Sequence, residues 1–324
     1  MRGAIAACAL LCLSRAVLAQ EESRADAWWT GPMLAANAAS LPQGHALIEP
    51  YLFDVISNAS FDTNGERHAT PAQQALGSLT YLLYGLTDRI GVGMLPRLQY
   101  NIPAGASNSA GIGDLTLQGS WGLTHFQDGR RIPDLSLVIQ ETLPTGRYER
   151  LSQPSDGIGA GAYTTSFALY TQDYFWLPNG RILRARLDVT YSVSSRVEVQ
   201  GLSVYGTGAG FSGHAQPGDS FSADAAAEYS ATRNWVLALD VIYQHSNATR
   251  VDGNVAASVP PPSGLPPLTA YHSTSGSADS IGFAPAVEYN FTSAVGVLLG
   301  VRIIEIGRNT AASITPAVAL NMVF

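Results

Sequence analysis

The sequence predicts an all-β protein: a transmembrane antiparallel β-barrel of about twelve strands, made with a cleaved N-terminal signal peptide. Three observations carry this. The first residues form a short apolar leader, the rest of the chain alternates apolar and polar residues in strand-length segments, and the last such segment ends on an aromatic residue, Phe324.

The leader reads Met1-Arg2-Gly3, then an apolar run from Ala4 to Leu13, then Val17-Leu18-Ala19, which places cleavage after Ala19. Residues 1–19 are therefore the signal peptide, 20–44 an N-terminal segment and 45–324 the barrel. A lipoprotein reading of Ile5-Ala6-Ala7-Cys8 leaves an apolar core that is too short. Cys8 and Cys12 both leave with the leader, so the mature chain has neither disulfides nor thiolate chemistry. The formal charge of −7 becomes −9 when Arg2 and Arg15 are removed, which excludes the basic footprint of a nucleic-acid binder.

Beyond the leader no apolar run reaches the ~18 to 20 residues of a membrane helix, although only 13% of residues are charged. Alternation resolves this. In 181–194, Leu183, Ala185, Leu187, Val189, Tyr191 and Val193 share one parity, and Arg184, Arg186, Asp188, Thr190, Ser192 and Ser194 share the other. A strand sends these to opposite faces. Segments 220–230 and 234–246 repeat the pattern, and strands begin near His45, Leu76, Arg89, Ile112, Ile132, Gly161, Arg181, Ser220, Asn234, Ser277, Ala294 and Asn309.

Connections support the reading because long ones (57–75, 101–111, 144–160, 195–217, 247–276) alternate with shorter ones (86–88, 123–131, 173–180, 231–233, 292–293). In outer-membrane barrels the long loops are extracellular and the short turns periplasmic. The tight link at Gly307-Arg308 is the exception, being short where a long loop is expected. Tyr84 to Thr87, Trp121 to Thr124, Tyr229 to Thr232 and Tyr289 to Thr292 repeat one spacing, an aromatic residue followed three positions later by threonine. These mark hairpin turns beside an aromatic interfacial ring. At the end of the chain Ile314, Val318, Leu320, Met322 and Phe324 share one parity, so Phe324 is read as the assembly signal. A monomer in the cell outer membrane follows, with lipids and the barrel-assembly machinery as partners.

The inward parity collects Arg97, Gln99, Asp114, Asp134, Gln140, Arg184, Arg186, Asp188, Asp224, Glu228, Asp240, Glu288 and Arg302 as lumen-lining candidates. Their mixed signs suit mutual pairing in a plugged barrel as well as a path. Apolar residues 28–39, led by Trp28 and Trp29, fit either a plug inside the barrel or a periplasmic tail at the membrane surface.

A hydrolase needs a nucleophile within reach of a base. His245 has Ser246 on the opposite face and Asn247 at the matching position, and His272 is followed by Ser273. His45, His68, His125 and His214 are scattered among strand starts and loops. An enzyme is not expected, nor is a cofactor or a metal site.

Further residues resemble a known family, the outer-membrane proteins linked to the meta-pathway of phenol degradation, relatives of the long-chain fatty acid transporters. The resemblance rests on Trp28-Trp29-Thr30-Gly31-Pro32, Leu41-Pro42-Gln43-Gly44-His45, Glu49-Pro50-Tyr51, Tyr84 to Arg89, Gly111-Ile112-Gly113-Asp114, Leu143-Pro144-Thr145-Gly146, Gly300-Val301-Arg302, Gly307-Arg308-Asn309 and Phe324. It implies passage of small hydrophobic or aromatic molecules, and an N-terminal plug like that of the fatty acid transporters. The alternative is a structural or adhesive barrel. The proline-rich 259–267 has no counterpart in the family.

Overall fold

The computed structural model describes residues 23–127, 129, 132–256 and 268–324. The expected signal peptide and the proline-rich 259–267 lie outside the described residues.

In chain order the strands are β1 (Ala46–Phe61), β2 (Arg67–Gly85), β3 (Ile90–Leu95), β4 (Arg97–Pro103), β5 (Ser109–Ile112), β6 (Leu115–Thr124), β7 (Asp134–Leu143), β8 (Thr164–Trp176) and β9 (Ile182–Ser194). The short β10 (Val197–Gln200) and β11 (Phe211–Gln216) follow, then β12 (Ser220–Ser230), β13 (Trp235–Ser246), the short β14 (Arg250–Ala256) and β15 (Leu268–Thr274), β16 (Ala278–Asn290), β17 (Val295–Arg308) and β18 (Thr310–Val323). β3 and β4 form one pass across the wall, broken at Pro96, which has no N–H to give the ladder. β5 and β6 form another, broken at Gly113-Asp114. With these joined, twelve antiparallel passes close into a barrel, because β1 pairs with β2 on one side and β18 on the other.

The predicted parities place the two faces. Arg184, Arg186 and Asp188 are buried inside, whereas Leu187, Tyr191, Leu237 and Leu239 are exposed on the outside. Tyr84, Trp121, Trp235 and Phe291 mark the short-turn rim of that apolar band, and Tyr100, Phe167, Tyr191 and Tyr243 lie toward the long-loop end. Amphipathic rings suit both interfaces of a bilayer.

In three of the four repeats the threonine is a turn device, while the Thr124 hydroxyl donates to Pro133 O. The hydroxyl of Thr87 accepts from the amides of Arg89 and Ile90, that of Thr232 from Asn234 and Trp235, and that of Thr292 from Ala294 and Val295. Each closes a tight hairpin by satisfying two amides that the ladder leaves unpaired.

Several predicted loops are corrected. Segment 57–75 is mostly strand: β1 and β2 stay paired through Ser57↔Gln73, Ala59↔Ala69 and Phe61↔Arg67, leaving a tip of 62–66. Asn101 likewise still pairs with Ala75 and Ser109. Ladder bonds there continue beyond the point where apolar alternation fades, since a strand end clear of lipid needs no apolar face. The predicted Gly307-Arg308 link is instead Asn309 alone, in the left-handed conformation at φ 50°, which asparagine tolerates better than most side chains. Two long connections contain a separate sheet, β10-β11-β14-β15, with Val197, Val199, Phe211, Ala215 and Val251 packed beneath Tyr148, Tyr205 and Tyr271.

Asp62, Glu66 and His68 meet at the β1–β2 tip. Their hydrogen bonds close the turn: Asp62 Oδ1 accepts from the amides of Asn64 and Glu66, and Oδ2 lies 3.1 Å from His68 Nε2. The Glu66 backbone, and after it His68, hold the Asp62 carboxyl below its ordinary range.

Phe324 sits on the closing seam. Its amide donates to Ala46 O at 2.9 Å and its carbonyl accepts from the Ala46 amide at 3.1 Å, while the residue is 67% exposed on the outer face. Deleting Phe324 removes both seam bonds and an interfacial anchor. The truncated protein is expected to give less heat-modifiable barrel in outer-membrane fractions than the full chain, and wild-type yield in that gel assay would contradict this role.

The barrel interior and the N-terminal segment

Residues 27–44 run inside the barrel. The segment starts at the short-turn end, where the Trp28 amide donates to Arg233 O and its carbonyl accepts from Asn290 Nδ2. It climbs to the middle of the wall and descends to the β2–β3 turn, where the Gln43 amide donates to Asp88 Oδ1 at 3.0 Å.

The wall holds it chiefly by its backbone. Glu288 Oε2 accepts from the amides of Thr30 (2.7 Å) and Gly31 (3.1 Å). Asp240 accepts from three successive amides, Met33 (3.0 Å), Leu34 (3.3 Å) and Ala35 (3.0 Å). Asp188 Oδ2 accepts from the Ala36 amide at 2.6 Å, Arg186 Nη1 donates to Ala35 O at 2.9 Å, and Ser136 Oγ donates to Ala38 O. Segment backbone that would otherwise be costly to bury is thereby satisfied.

The wall is also hollowed where the segment passes. A Cβ on Gly296 would sit 2.0 Å from Thr30 Oγ1, and one on Gly122 would sit 2.4 Å from Ser40 Oγ. Only glycine leaves that room.

Beside the segment lies an ion cluster. Arg184 Nε donates to Glu228 Oε2 at 2.6 Å, Arg184 Nη2 bonds the other oxygen, and Arg186 Nε stands 3.0 Å from Glu228 Oε2. Glu228 is fully buried. The guanidinium of Arg184 also lies 4.5 Å from the ring centre of Trp29, a cation–π contact that ties the segment to the cluster.

The predicted lumen set divides accordingly. Arg184, Arg186, Asp188, Glu228, Asp240 and Glu288 meet around the segment. Arg302 bonds Gln244 higher in the wall, and Arg97 bonds Gln99 within β4. Asp224 is buried with Oδ1 unpartnered among the described residues. Asp134 holds the adjoining turn by accepting from the Phe126 amide. Asp114 anchors a loop: it accepts from the amides of Gly146 (2.8 Å) and Ala160 (2.7 Å). Thr145 bridges the break in that strand, its hydroxyl donating to Gly113 O and accepting from the Leu115 amide. The motifs at 111–114 and 143–146 are thus two halves of one lock.

Sequence reasoning missed Glu49, Tyr51, Tyr81, Tyr170, Ser136 and Asn290, all of which face inward. Parity could have found Glu49 and Tyr51, since Ile48 and Leu52 on either side of them face out. A cavity of about 360 Å³ remains between the segment and the wall, lined by Glu49, Tyr51, Tyr81, Tyr170, Asp188 and Asp224 among others.

Toward the long-loop end, His245 Nδ1 lies 2.7 Å from Asp279 Oδ1 and Nε2 lies 3.3 Å from Asn247 Oδ1. No serine bonds either nitrogen among the described residues. His272 pairs with Asp252 at 2.6 Å in the outer sheet.

A closed twelve-stranded barrel with an apolar outer band, aromatic rims and a charged interior is an outer-membrane β-barrel. The chain belongs to the family described as "Putative MetA-pathway of phenol degradation", whose model matches residues 52–315. No curated protein matches it. Among solved structures it is similar to an outer-membrane channel from Pseudomonas putida F1, with TM-score 0.68 and 14% identity over 90% of this chain and 100% of that one. The β domain of the Bordetella autotransporter BrkA gives TM-score 0.45 at 10% identity, over 87% and 100% of the two chains. A TodX mutant monoaromatic hydrocarbon channel gives 0.39 at 11% identity, over 87% and 91%. At such identities the first of these speaks for the fold.

Proposed function

We propose that the protein mediates passage of small hydrophobic or aromatic compounds across the outer membrane, through a barrel gated by its own N-terminal segment. The observation that carries this is the way the segment is held. It contributes no strand to the wall, and hydrogen bonds and packing keep it in place, so it can leave without breaking the barrel. A family linked to phenol degradation and a cavity walled by Tyr51, Tyr81, Tyr170 and Ile242 support an aromatic cargo. The same reading has the barrel act as a monomer, inserted by the barrel-assembly machinery, with passage rather than catalysis as its role.

Uptake of a panel of aromatics and fatty acids, compared in cells with and without the gene, tests the proposal. Faster entry of apolar compounds, with low conductance of the purified protein in planar bilayers, is the expected result. Large conductance with no preference would indicate a general porin. An intact barrel that changed neither would leave the structural or adhesive reading.

A further inference from the structure

One row of the wall is satisfied only in part by the segment. Following the ladder around the barrel, Ser136 on β7 faces Tyr170 on β8, Tyr170 faces Asp188 on β9, Asp188 faces Asp224 on β12, and Asp224 faces Ile242 on β13. All five line the same cavity. Two carboxylates therefore stand directly opposite each other on adjacent strands with a tyrosine beside them. Like charges in that position repel.

Their bonding is incomplete. Asp188 is 7% exposed and Asp224 6% exposed, and Oδ1 of each is buried with no partner among the described residues. Asp188 spends its other oxygen on the Ala36 amide. The nearest guanidiniums hydrogen-bond other groups, Arg186 Nη1 with Ala35 O and Arg302 Nη2 with Gln244, and although each keeps a buried Nε without a hydrogen bond, neither donates to Asp188 or Asp224 among the described residues. Among the described interior residues, Glu49, Asp188, Asp224, Glu228, Asp240 and Glu288 outnumber Arg97, Arg184, Arg186 and Arg302. A buried acceptor without a donor is costly, and a pair of buried like charges more so.

We propose that Asp188 and Asp224 form a binding site for the ammonium head of a small organic cation. A neutral hydroxyl would satisfy an oxygen but leave the charge, whereas an ammonium group brings several N–H donors and one positive charge together. Tyr170, next in the row, brings an aromatic ring to the cavity that a cation favours, and Tyr81 and Ile242 take an apolar body. A cavity of about 360 Å³ is of the size that takes small ligands. This deepens the proposed passage of aromatic compounds by adding aromatic and other apolar amines as a cargo class recognised by the wall.

The test is calorimetric titration of the purified full-length barrel in detergent with benzylammonium, benzyl alcohol and benzoate at neutral pH. These probes share a ring and differ in head charge. The expected order is benzylammonium first, benzyl alcohol at least roughly tenfold weaker and benzoate weakest, with Asp224→Asn and Asp188→Asn each weakening benzylammonium by roughly tenfold and leaving benzyl alcohol little changed. Heat-modifiable migration confirms that each variant is folded. Benzyl alcohol binding as tightly as benzylammonium would overturn the proposal, as would unchanged benzylammonium affinity in both folded variants. Because binding is read on purified protein, loss of this site and failure of the uptake proposal give separate results.

Discussion

Deleting residues 28–39 is expected to open the barrel, raising single-channel conductance roughly tenfold over the intact protein and making it cation-selective. Without the segment, Asp240 loses three amide donors, Glu288 two and Asp188 one. The freed carboxylates then line a hydrated path in which guanidiniums are the minority. Gly296→Val tests the same seating with one atom group, because its side chain would enter the space held by the Thr30 hydroxyl. It should show intermittent opening with the segment still attached. Planar-bilayer recordings under a salt gradient give both conductance and the sign of the reversal potential. A deletion variant that remained closed would show that the segment does not block the path.

Replacing Glu228 with glutamine should cost about 3 to 5 kcal/mol of stability, the usual penalty for removing one partner of a buried ion pair. Arg184 and Arg186 are 4% and 5% exposed, and Glu228 hydrogen-bonds the first and forms an ion pair with the second. The amide keeps the shape but not the charge, leaving two guanidiniums in a water-poor interior. Urea unfolding followed by tryptophan fluorescence reads the loss, and Trp29, stacked on Arg184, adds a local signal. A midpoint unchanged from the parent protein would mean that water reaches the cluster and the pair contributes little.

The twelve passes were legible because lipid and interior impose opposite demands on successive residues. The strand at Arg181 to Ser194 shows this most clearly: Arg184, Arg186 and Asp188 point in, and Leu187 and Tyr191 point out. Where lipid ends, so does the signal, which is why the upper parts of β1 and β2 read as loop although their ladder continues. The partners of Asp114 were hidden for a related reason. Parity gives a direction but cannot show that a loop some thirty residues later returns to occupy the carboxylate. The site around the N-terminal segment was legible in its charges and not in their pairing, since Glu288 and Thr30 are 258 positions apart and no periodicity links them.

The attachment of the segment also divides sequence information unevenly between two parts of one chain. Glu288, Asp240, Asp188 and Arg186 grip peptide groups, which every residue supplies alike apart from the missing N–H of proline. The wall therefore carries the address, and the segment answers with backbone and small size. Substitution at Ala35, Ala36, Ala38 and Ala39 is constrained by bulk more than by chemistry, whereas Trp29 and Thr30 answer the wall with their side chains as well.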